Sequence, residues 1–317
     1  MSSSNDPNLP SVSSHPTLTH IAFSGGNIRG FMYLGILRYL YAYDMLKELK
    51  EVAGTSFGSA VAVIVALKIP LETVEKMFFD YSHDDHMKTI RATNTIKAVS
   101  SLGMDSTAKY TDMIKQYFND VYGDPDLTFI EIAKRTGIQL HINALCVNTQ
   151  KEMVFSSYKT PNTPVIPVLN ASMAIPIITQ PVMIDGYLYC DGAGMNNTLV
   201  YLFDHIPREH LLSVMIDIPA RPVEIPRYTI PDPLTYYSAV ALSCFNSMFE
   251  QSSKRHINED TLVVKDNYPQ LDCRVCDEGI VQDFDEDKLQ LAIAVGFDIA
   301  CEYFNRRSSG HQSSILS

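Results

Sequence analysis

Two glycine-rich turns decide the fold of this chain: Ser24-Gly25-Gly26-Asn27-Ile28-Arg29-Gly30 and Gly54-Thr55-Ser56-Phe57-Gly58. Each turn follows a short apolar run and precedes a run with the pattern of a helix. The second turn has the form Gly-x-Ser-x-Gly, which presents a serine hydroxyl from a tight strand-to-helix turn. The first turn is of the kind that exposes backbone N–H groups to an oxyanion or a phosphate. Together they predict a serine hydrolase whose oxyanion hole lies beside the nucleophile.

The residues around these turns predict a βαβ unit. Residues 18–23 and 51–53 have the pattern of short strands, and the apolar residues between 31 and 49 recur at helical spacing. A right-handed crossover makes the two strands parallel, so the turns that follow them leave the same edge of the sheet. Ligand sites of open α/β sheets form at that edge. We therefore expect residues 24–30 and 54–58 to be neighbours in space.

Further elements are predicted along the rest of the chain. Strands are expected at 138–148, 152–156, 187–190 and 211–216, and helices at 236–249 and 287–304. Residues 71–122 have a mostly helical pattern, and their polar stretch 80–105 is expected to form a cap or a surface insertion. For the apolar helix at 236–249 a place in the core is the default expectation, with an acyl pocket or a membrane contact as alternatives.

Length, composition and charge restrict the class of protein. The chain has 317 residues, of which 46% are hydrophobic and 19% charged, and this suits one large domain with a sizeable core. We expect a single domain at 18–305, between a disordered tail at 1–17 and a flexible tail at 306–317, both polar and serine-rich. The formal net charge of −11 argues against nucleic acid as a partner and against simple electrostatic docking on anionic lipid.

The cysteines and the apolar runs predict where the protein works. The six cysteines are scattered and no secretory signal is visible, which favours reduced thiols and a cytoplasmic location. No stretch reaches the roughly 18 uninterrupted apolar residues of a membrane span. Contact with a membrane is therefore expected to be peripheral and transient.

Ser56 is the predicted nucleophile. An alcohol is a weak nucleophile at neutral pH and needs a base within hydrogen-bond reach. The N–H groups of Gly25, Gly26 and Asn27 are the predicted oxyanion hole, because glycine lets the backbone approach a developing oxyanion without a Cβ in the way. A phosphate-binding loop is the alternative, but no Gly-Lys-Ser or Gly-Lys-Thr follows. Arg29 is predicted to orient the loop or bind an anionic head group, with an ordinary surface arginine as the alternative.

Asp191 is the candidate base. It lies just past an apolar strand, in Tyr189-Cys190-Asp191-Gly192-Ala193-Gly194, although Asp-Gly is also a common turn pair. A histidine base, as in a Ser-His-Asp triad, is the alternative, and His205 and His210 follow at a plausible distance.

No metal and no cofactor are expected. The run His83-Asp84-Asp85-His86 has the residue types of a metal site. Adjacent ligands at this spacing share one helix face poorly, so a solvated polar segment is the better interpretation.

These segments together resemble the patatin-like phospholipases. That family's pattern is a Gly-Gly-Gly-x-Arg-Gly loop, a Gly-x-Ser-x-Gly elbow and an Asp-Gly-Gly or Asp-Gly-Ala turn, which match residues 25–30, 54–58 and 191–193. A fourth match is Ala171-Ser172-Met173-Ala174-Ile175-Pro176, similar to the family's Ala-Ser-x-Ala-x-Pro segment. The resemblance covers about residues 18–218. One departure is Asn27, which stands where the family has its third glycine.

The resemblance implies a three-layer α/β/α fold with a mostly parallel central sheet. It also implies a Ser56–Asp191 dyad without histidine, and hydrolysis of the acyl esters of a lipid or phospholipid through an acyl-serine intermediate. An acyltransferase, in which another alcohol replaces water, is the alternative within enzymes. A lipid-binding or interaction protein with a silenced site is the alternative outside them; Asn27 favours it, and the intact Ser56 and Asp191 argue against it.

Overall fold

The computed structural model describes residues 16–83, 89–91, 102–217, 230, 233–258, 260–265, 274–276, 279–281 and 285–313. The strands in this part of the chain are β1 (His20–Phe23), β2 (Glu51–Gly54), β3 (Thr89–Arg91), β4 (Gly103–Asp105), β5 (Gln139–Cys146), β6 (Lys151–Ser156), β7 (Ile177–Thr179), β8 (Val182–Ile184), β9 (Tyr187–Asp191), β10 (Leu211–Asp217), β11 (Thr261–Lys265), β12 (Arg274–Cys276) and β13 (Gly279–Val281). The helices are α1 (Met32–Ala42), α2 (Phe57–Ala66), α3 (Leu71–His83), α4 (Ala108–Tyr122), α5 (Phe129–Thr136), α6 (Val165–Ser172), α7 (Pro233–Arg255) and α8 (Glu286–Ser313).

Within these residues the main sheet has eight strands. Its order is β11-β10-β1-β2-β5-β9-β8, and β6 pairs with β5 as well. The pairs from β11 to β5 are parallel, whereas β6 and β9 run antiparallel to β5, and β8 runs antiparallel to β9. Strands β12, β13 and β3 form a small separate sheet, and β4 pairs with β7. The predicted α/β class with a mostly parallel central sheet is confirmed.

The predicted βαβ unit is present. Strand β1 pairs in parallel with β2, and Phe23 lies opposite Gly54 at the ends of the two strands. The chain between them passes through a 3-10 turn at Asn27–Phe31 and through α1, most of whose side chains are buried. Both glycine-rich turns therefore leave the same edge of the sheet, as the sequence predicts.

Strand β5 brings a third segment to this edge. Residues 141 and 142 pair with both β2 and β6, and residues 144–146 pair with both β6 and β9. Because β6 occupies one edge of β5, β2 and β9 must share the other. They meet end to end there, with Gly54 opposite Ile142 and Asp191 opposite Ala144. The ends of β2 and β9 are thereby two residues apart along β5.

The two faces of the sheet have different covers. Ile21 and Phe23 point into the larger core, which contains buried residues of α1, α2, α6 and α8. Ala22 points to the other face, into a smaller cluster with Leu199 and Phe203. This cluster includes the short 3-10 helix Val200–Phe203. Among the described residues the hydrophobic cluster on this second face of the sheet is therefore smaller than the core on the first face.

Helix α8 extends into the predicted C-terminal tail. Residues 306–313 were expected in a flexible tail, but they continue α8 to Ser313. A guanidinium nitrogen of Arg307 donates to the carbonyl of Leu211 at 3.3 Å and so ties this end of the helix to the start of β10. Most of the predicted N-terminal tail, residues 1–15, lies outside the described residues, as does most of the polar stretch 80–105. None of the described helices combines the length and the apolar character needed to cross a bilayer.

Candidate active site

Ser56 lies at the tight turn between β2 and α2. Its backbone has φ 52° and ψ −128°, a left-handed conformation that is strained for a residue with a side chain. The turn is packed closely against the first loop, because a Cβ on Gly58 would lie only 2.3 Å from the carbonyl oxygen of Ser24. A side chain at position 58 would therefore push the two turns apart. The sequence prediction of a serine elbow agrees with this geometry.

The Ser56 hydroxyl is hydrogen-bonded to Asp191. The Oγ atom donates to Asp191 Oδ2 at 2.8 Å, although the two residues are 135 positions apart in the chain. The other carboxylate oxygen, Oδ1, accepts the N–H of Ala193 at 2.8 Å. Asp191 is 1% exposed and Ser56 is 8% exposed. A buried carboxylate in contact with a serine hydroxyl is placed to accept the hydroxyl proton.

Burial also changes the acidity of this carboxyl group. Loss of solvation raises the pKa of Asp191 to about 7, while the hydrogen bonds from Ala193 and Ser56 lower that pKa and offset only part of the effect. A base with a pKa near the working pH is more effective than an ordinary aspartate. Perturbed pKa values of this kind are frequent at functional sites.

The first glycine loop lies beside Ser56, but one of its predicted donors is used elsewhere. A Cβ on Gly25 would lie 3.1 Å from the Cβ of Ser56. The Gly25 N–H, however, donates to Asn197, to Oδ1 at 3.0 Å and to the backbone oxygen at 3.2 Å. The assignment of Gly25 to the oxyanion hole is therefore corrected, because its only N–H is engaged inside the protein. The assignment of Gly26 and Asn27 to the oxyanion hole stays a prediction.

Asn27 and Arg29 lie in the 3-10 turn that follows. Asn27 adopts φ 47°, a left-handed backbone that asparagine tolerates better than most residues. The departure from the family's glycine is thus compatible with the turn. Arg29 is 5% exposed, so the alternative of an ordinary surface arginine is wrong.

The two histidines considered as an alternative base lie away from Ser56. His205 is exposed, and its ring is 6.4 Å from that of His20. His20 begins β1 and so lies at the end of the strand opposite to the glycine loop. His210 pairs through Nδ1 with the carbonyl of Thr17 at 2.8 Å. Of the run 83–86, which has the residue types of a metal site, His83 ends α3, and residues 84–86 lie outside the described residues.

Several residues that contact the site have no role predicted from the sequence. Ser172 Oγ accepts the backbone N–H of Ser56 at 2.9 Å, and the carbonyl of Ala174 accepts the N–H of Asp191 at 2.8 Å. Both belong to the Ala-Ser-x-Ala-x-Pro match, which was the available signal. Asn197, whose side chain fixes Gly25 and donates to Ser253 at 2.8 Å, had no such signal.

An apolar pocket begins beside the elbow. One wall comes from segments of the site: Phe57 follows Ser56, Met173 follows Ser172, and Phe31 ends the turn after the glycine loop. The full lining is Phe31, Phe57, Ala60, Ile64, Met77, Phe78, Tyr110, Met113, Ile114 and Met173. The opposite wall belongs to α3 and α4, in the helical region before β5.

Helix α7 lies next to the turn that carries Asp191. Ser252 donates to the carbonyl of Ala193 at 2.8 Å, and the ring of Phe245 packs against Gly194. The sequence predicts this apolar helix to be core by default, yet Tyr236 is 51% exposed and Tyr237 is 68% exposed. The default expectation is therefore wrong for this face of the helix.

The segments that form the site also match known proteins. The family model for patatin-like phospholipases matches residues 21–204. An uncharacterised protein of Acanthamoeba polyphaga mimivirus is 27% identical over 196 residues, which cover 62% of this chain and 64% of that protein. A probable lipid hydrolase of Invertebrate iridescent virus 6 is 25% identical over 179 residues, 56% of this chain and 60% of that protein. The chain thus spans less than two thirds of the length of these relatives.

A solved structure shares the fold. VipD from Legionella pneumophila superposes with a TM-score of 0.55 at 14% sequence identity, over 92% of this chain and 67% of that chain. The likeness extends over almost the whole chain, which indicates that the architecture continues beyond the segment matched by the family model.

The acidity of Asp191 predicts the pH dependence of catalysis. The protonated carboxyl cannot accept the Ser56 proton, so kcat/KM on a soluble short-chain ester should rise with pH through about 7. Asp191→Asn should lower kcat/KM by about 10²–10⁴-fold. Asp185→Asn is the matched control, because Asp185 is exposed in the β8–β9 turn. A wild-type profile that rises near pH 4, the ordinary range of aspartate, would contradict the assignment.

The same group should affect stability with the corresponding sign. Because folding raises its pKa, Asp191 contributes to the free energy of unfolding most fully below its ordinary pKa, and the contribution is lost as pH rises through about 7. The stability of Asp191→Asn, measured by denaturant unfolding, should therefore vary less across this range than that of the wild type.

Proposed function

The chain belongs to the patatin-like phospholipase family, and from this premise we propose that it is a lipid acyl hydrolase that forms an acyl-serine intermediate. The observation that carries the proposal is the 2.8 Å hydrogen bond from Ser56 Oγ to the buried Asp191 carboxylate. This pair supplies the nucleophile and the base that ester cleavage needs. The relative described as a probable lipid hydrolase supports the same class of substrate.

In the proposed mechanism Ser56 Oγ attacks the ester carbonyl while its proton passes to Asp191. The negative charge that develops on the carbonyl oxygen is stabilised by the N–H groups of Gly26 and Asn27 and by the N-terminus of α2. Collapse of the tetrahedral intermediate expels the alcohol, which takes the proton from Asp191. A water molecule then attacks the acyl-serine ester, with Asp191 again accepting the proton. Collapse of this second intermediate releases the free acid and expels Ser56 Oγ, which takes the proton back from Asp191.

The apolar pocket suits the acyl chain of such an ester. Its lining has no charged side chain, and Phe57 and Met173 place its wall directly after Ser56 and after the serine that binds its N–H. Burial of an alkyl chain stabilises the complex by about 0.8 kcal/mol for each methylene group. We propose that a chain bound here presents its ester carbonyl to Ser56.

Helix α7 suits contact with a lipid surface. No charged residue occurs between 233 and 249, and the exposed side chains of this stretch include Tyr236, Tyr237 and Val240. The helix packs on the Asp191 turn, so a surface bound by α7 would lie near the site. The net charge of −11 favours neutral or zwitterionic lipid over anionic lipid. We place this activity in the cytoplasm, in keeping with the free thiols at Cys146, Cys190, Cys244 and Cys301.

Covalent labelling tests the nucleophile. A fluorophosphonate probe should modify Ser56, and Ser56→Ala should lose both the label and about 10³-fold or more of the esterase activity, because the covalent route is removed. Ser213→Ala is a matched control, since Ser213 is buried and its hydroxyl has no hydrogen-bond partner among the residues that the structure describes. A label on another serine, mapped by mass spectrometry, would refute the assignment.

Narrowing the pocket should change chain-length preference. Ala60 lines the pocket one helical turn after Ser56, so Ala60→Leu should lower kcat/KM for a p-nitrophenyl palmitate more than for the butyrate, by at least about tenfold in the ratio. Ala42→Leu makes the same change at an exposed position of α1. An unchanged ratio in a folded Ala60→Leu protein would show that the acyl chain binds elsewhere.

Charges on α7 should weaken the contact with lipid. Introducing Tyr237→Glu with Val240→Glu should reduce cosedimentation with phosphatidylcholine vesicles and lower the ratio of vesicle to soluble-ester hydrolysis. Val121→Glu, at an exposed position of α4, is the control for surface charge. Equal vesicle binding by the double variant and the wild type would exclude α7 as the lipid-binding face.

A further inference from the structure

The short segment from Ser172 to Ala174 contacts both members of the dyad. Ser172 ends α6 and is completely buried, and its Oγ accepts the Ser56 N–H at 2.9 Å. Two residues later the carbonyl of Ala174 accepts the Asp191 N–H at 2.8 Å. One segment thus binds the backbone of the nucleophile through a side chain and the backbone of the base through a carbonyl.

The Ser56 backbone needs such a partner. Its N–H is buried with the elbow, and a buried N–H without an acceptor is costly. Its carbonyl is already held by the N–H of Ser59 at 2.8 Å and by the Ser59 hydroxyl. With Ser172 on the other side, both polar groups of the strained residue are fixed. The left-handed φ of 52° is a conformation that persists only where the surroundings enforce it.

The position of Ser172 is itself fixed from a different direction. Asn170, on the same helix, accepts the Thr111 hydroxyl from α4 through Oδ1 at 2.9 Å. This contact anchors α6 without touching Ser56 or Asp191. The acceptor of the Ser56 N–H is therefore held in place by a contact that lies outside the elbow.

We infer that Ser172 is a positioning residue, which holds the Ser56 backbone so that its hydroxyl meets the Asp191 carboxylate, and this rests on the proposed function of that pair. Without the Ser172 acceptor, the Ser56 N–H loses its tie to the segment that also fixes Asp191. The two catalytic groups are then no longer held by the same segment. Misplacement of a reacting group by about 1 Å is enough to lower a rate by about 10²-fold.

The test compares Ser172→Ala and Ser172→Cys with the wild type on a soluble short-chain ester. Alanine removes the acceptor, and cysteine keeps nearly the same volume with a much weaker one. We expect kcat to fall by about 10–10²-fold with little change in KM. The rise of kcat/KM should also move to higher pH, because the Ser56 hydrogen bond lowers the pKa of Asp191 and would be weakened. Ser172→Thr, which keeps the hydroxyl, should recover part of the rate.

The controls separate this inference from its alternatives. Ser213→Ala removes a buried serine hydroxyl that has no hydrogen bond to Ser56 or Asp191, and it should retain kcat and the pH profile. A folded Ser172→Cys or Ser172→Ala enzyme with wild-type kcat and pH profile would overturn the inference, as would an equal loss in Ser213→Ala. Full activity in Ser56→Ala would instead refute the proposed function.

Discussion

The left-handed backbone of Ser56 is the constraint on which the site depends. Only Thr55 and Ser56 separate β2 from α2, so the chain must reverse within one strained residue, and this directs the hydroxyl out of the sheet edge. The reversal is possible because Gly58 lets the new helix approach the carbonyl of Ser24. Strain of this kind requires support from its neighbours, and here Ser59 and Ser172 hold the two sides of the residue.

The elbow and the glycine loop could be predicted from the sequence because their signals are local. A strand, a glycine turn and a helix follow one another twice, and the handedness of the crossover then makes the two turns neighbours. Asp191 is different, since its position depends on β9 meeting β2 end to end along β5. That arrangement is set by non-local strand pairing, so the residue was found through its Asp-Gly-Ala motif and the family resemblance rather than through geometry.

The features that the sequence could not show have the same physical origin. Gly25 looks like an oxyanion donor until Asn197, 172 positions later, takes its N–H. An apolar run such as that of α7 has the same composition whether it faces a core or stands exposed beside a site. The serine-rich end has the composition of a tail, yet α8 continues to Ser313, and Arg307 contacts the start of β10. In each case the outcome depends on the surroundings of the segment in the folded chain, which a local signal does not contain.

Burial links the strength of the base to the fate of the acyl group. The low exposure of Asp191 raises its pKa to about 7 and makes it a better base, but the same low exposure limits the access of water to Ser56. An ester whose chain fills the apolar pocket would leave only the side vacated by the alcohol open to an incoming molecule. In the proposed mechanism, hydrolysis and acyl transfer share the step that forms the acyl-serine, and the choice between them depends on which hydroxyl reaches it. Specificity for water would then depend on what surrounds the Ser56–Asp191 pair, rather than on the pair itself.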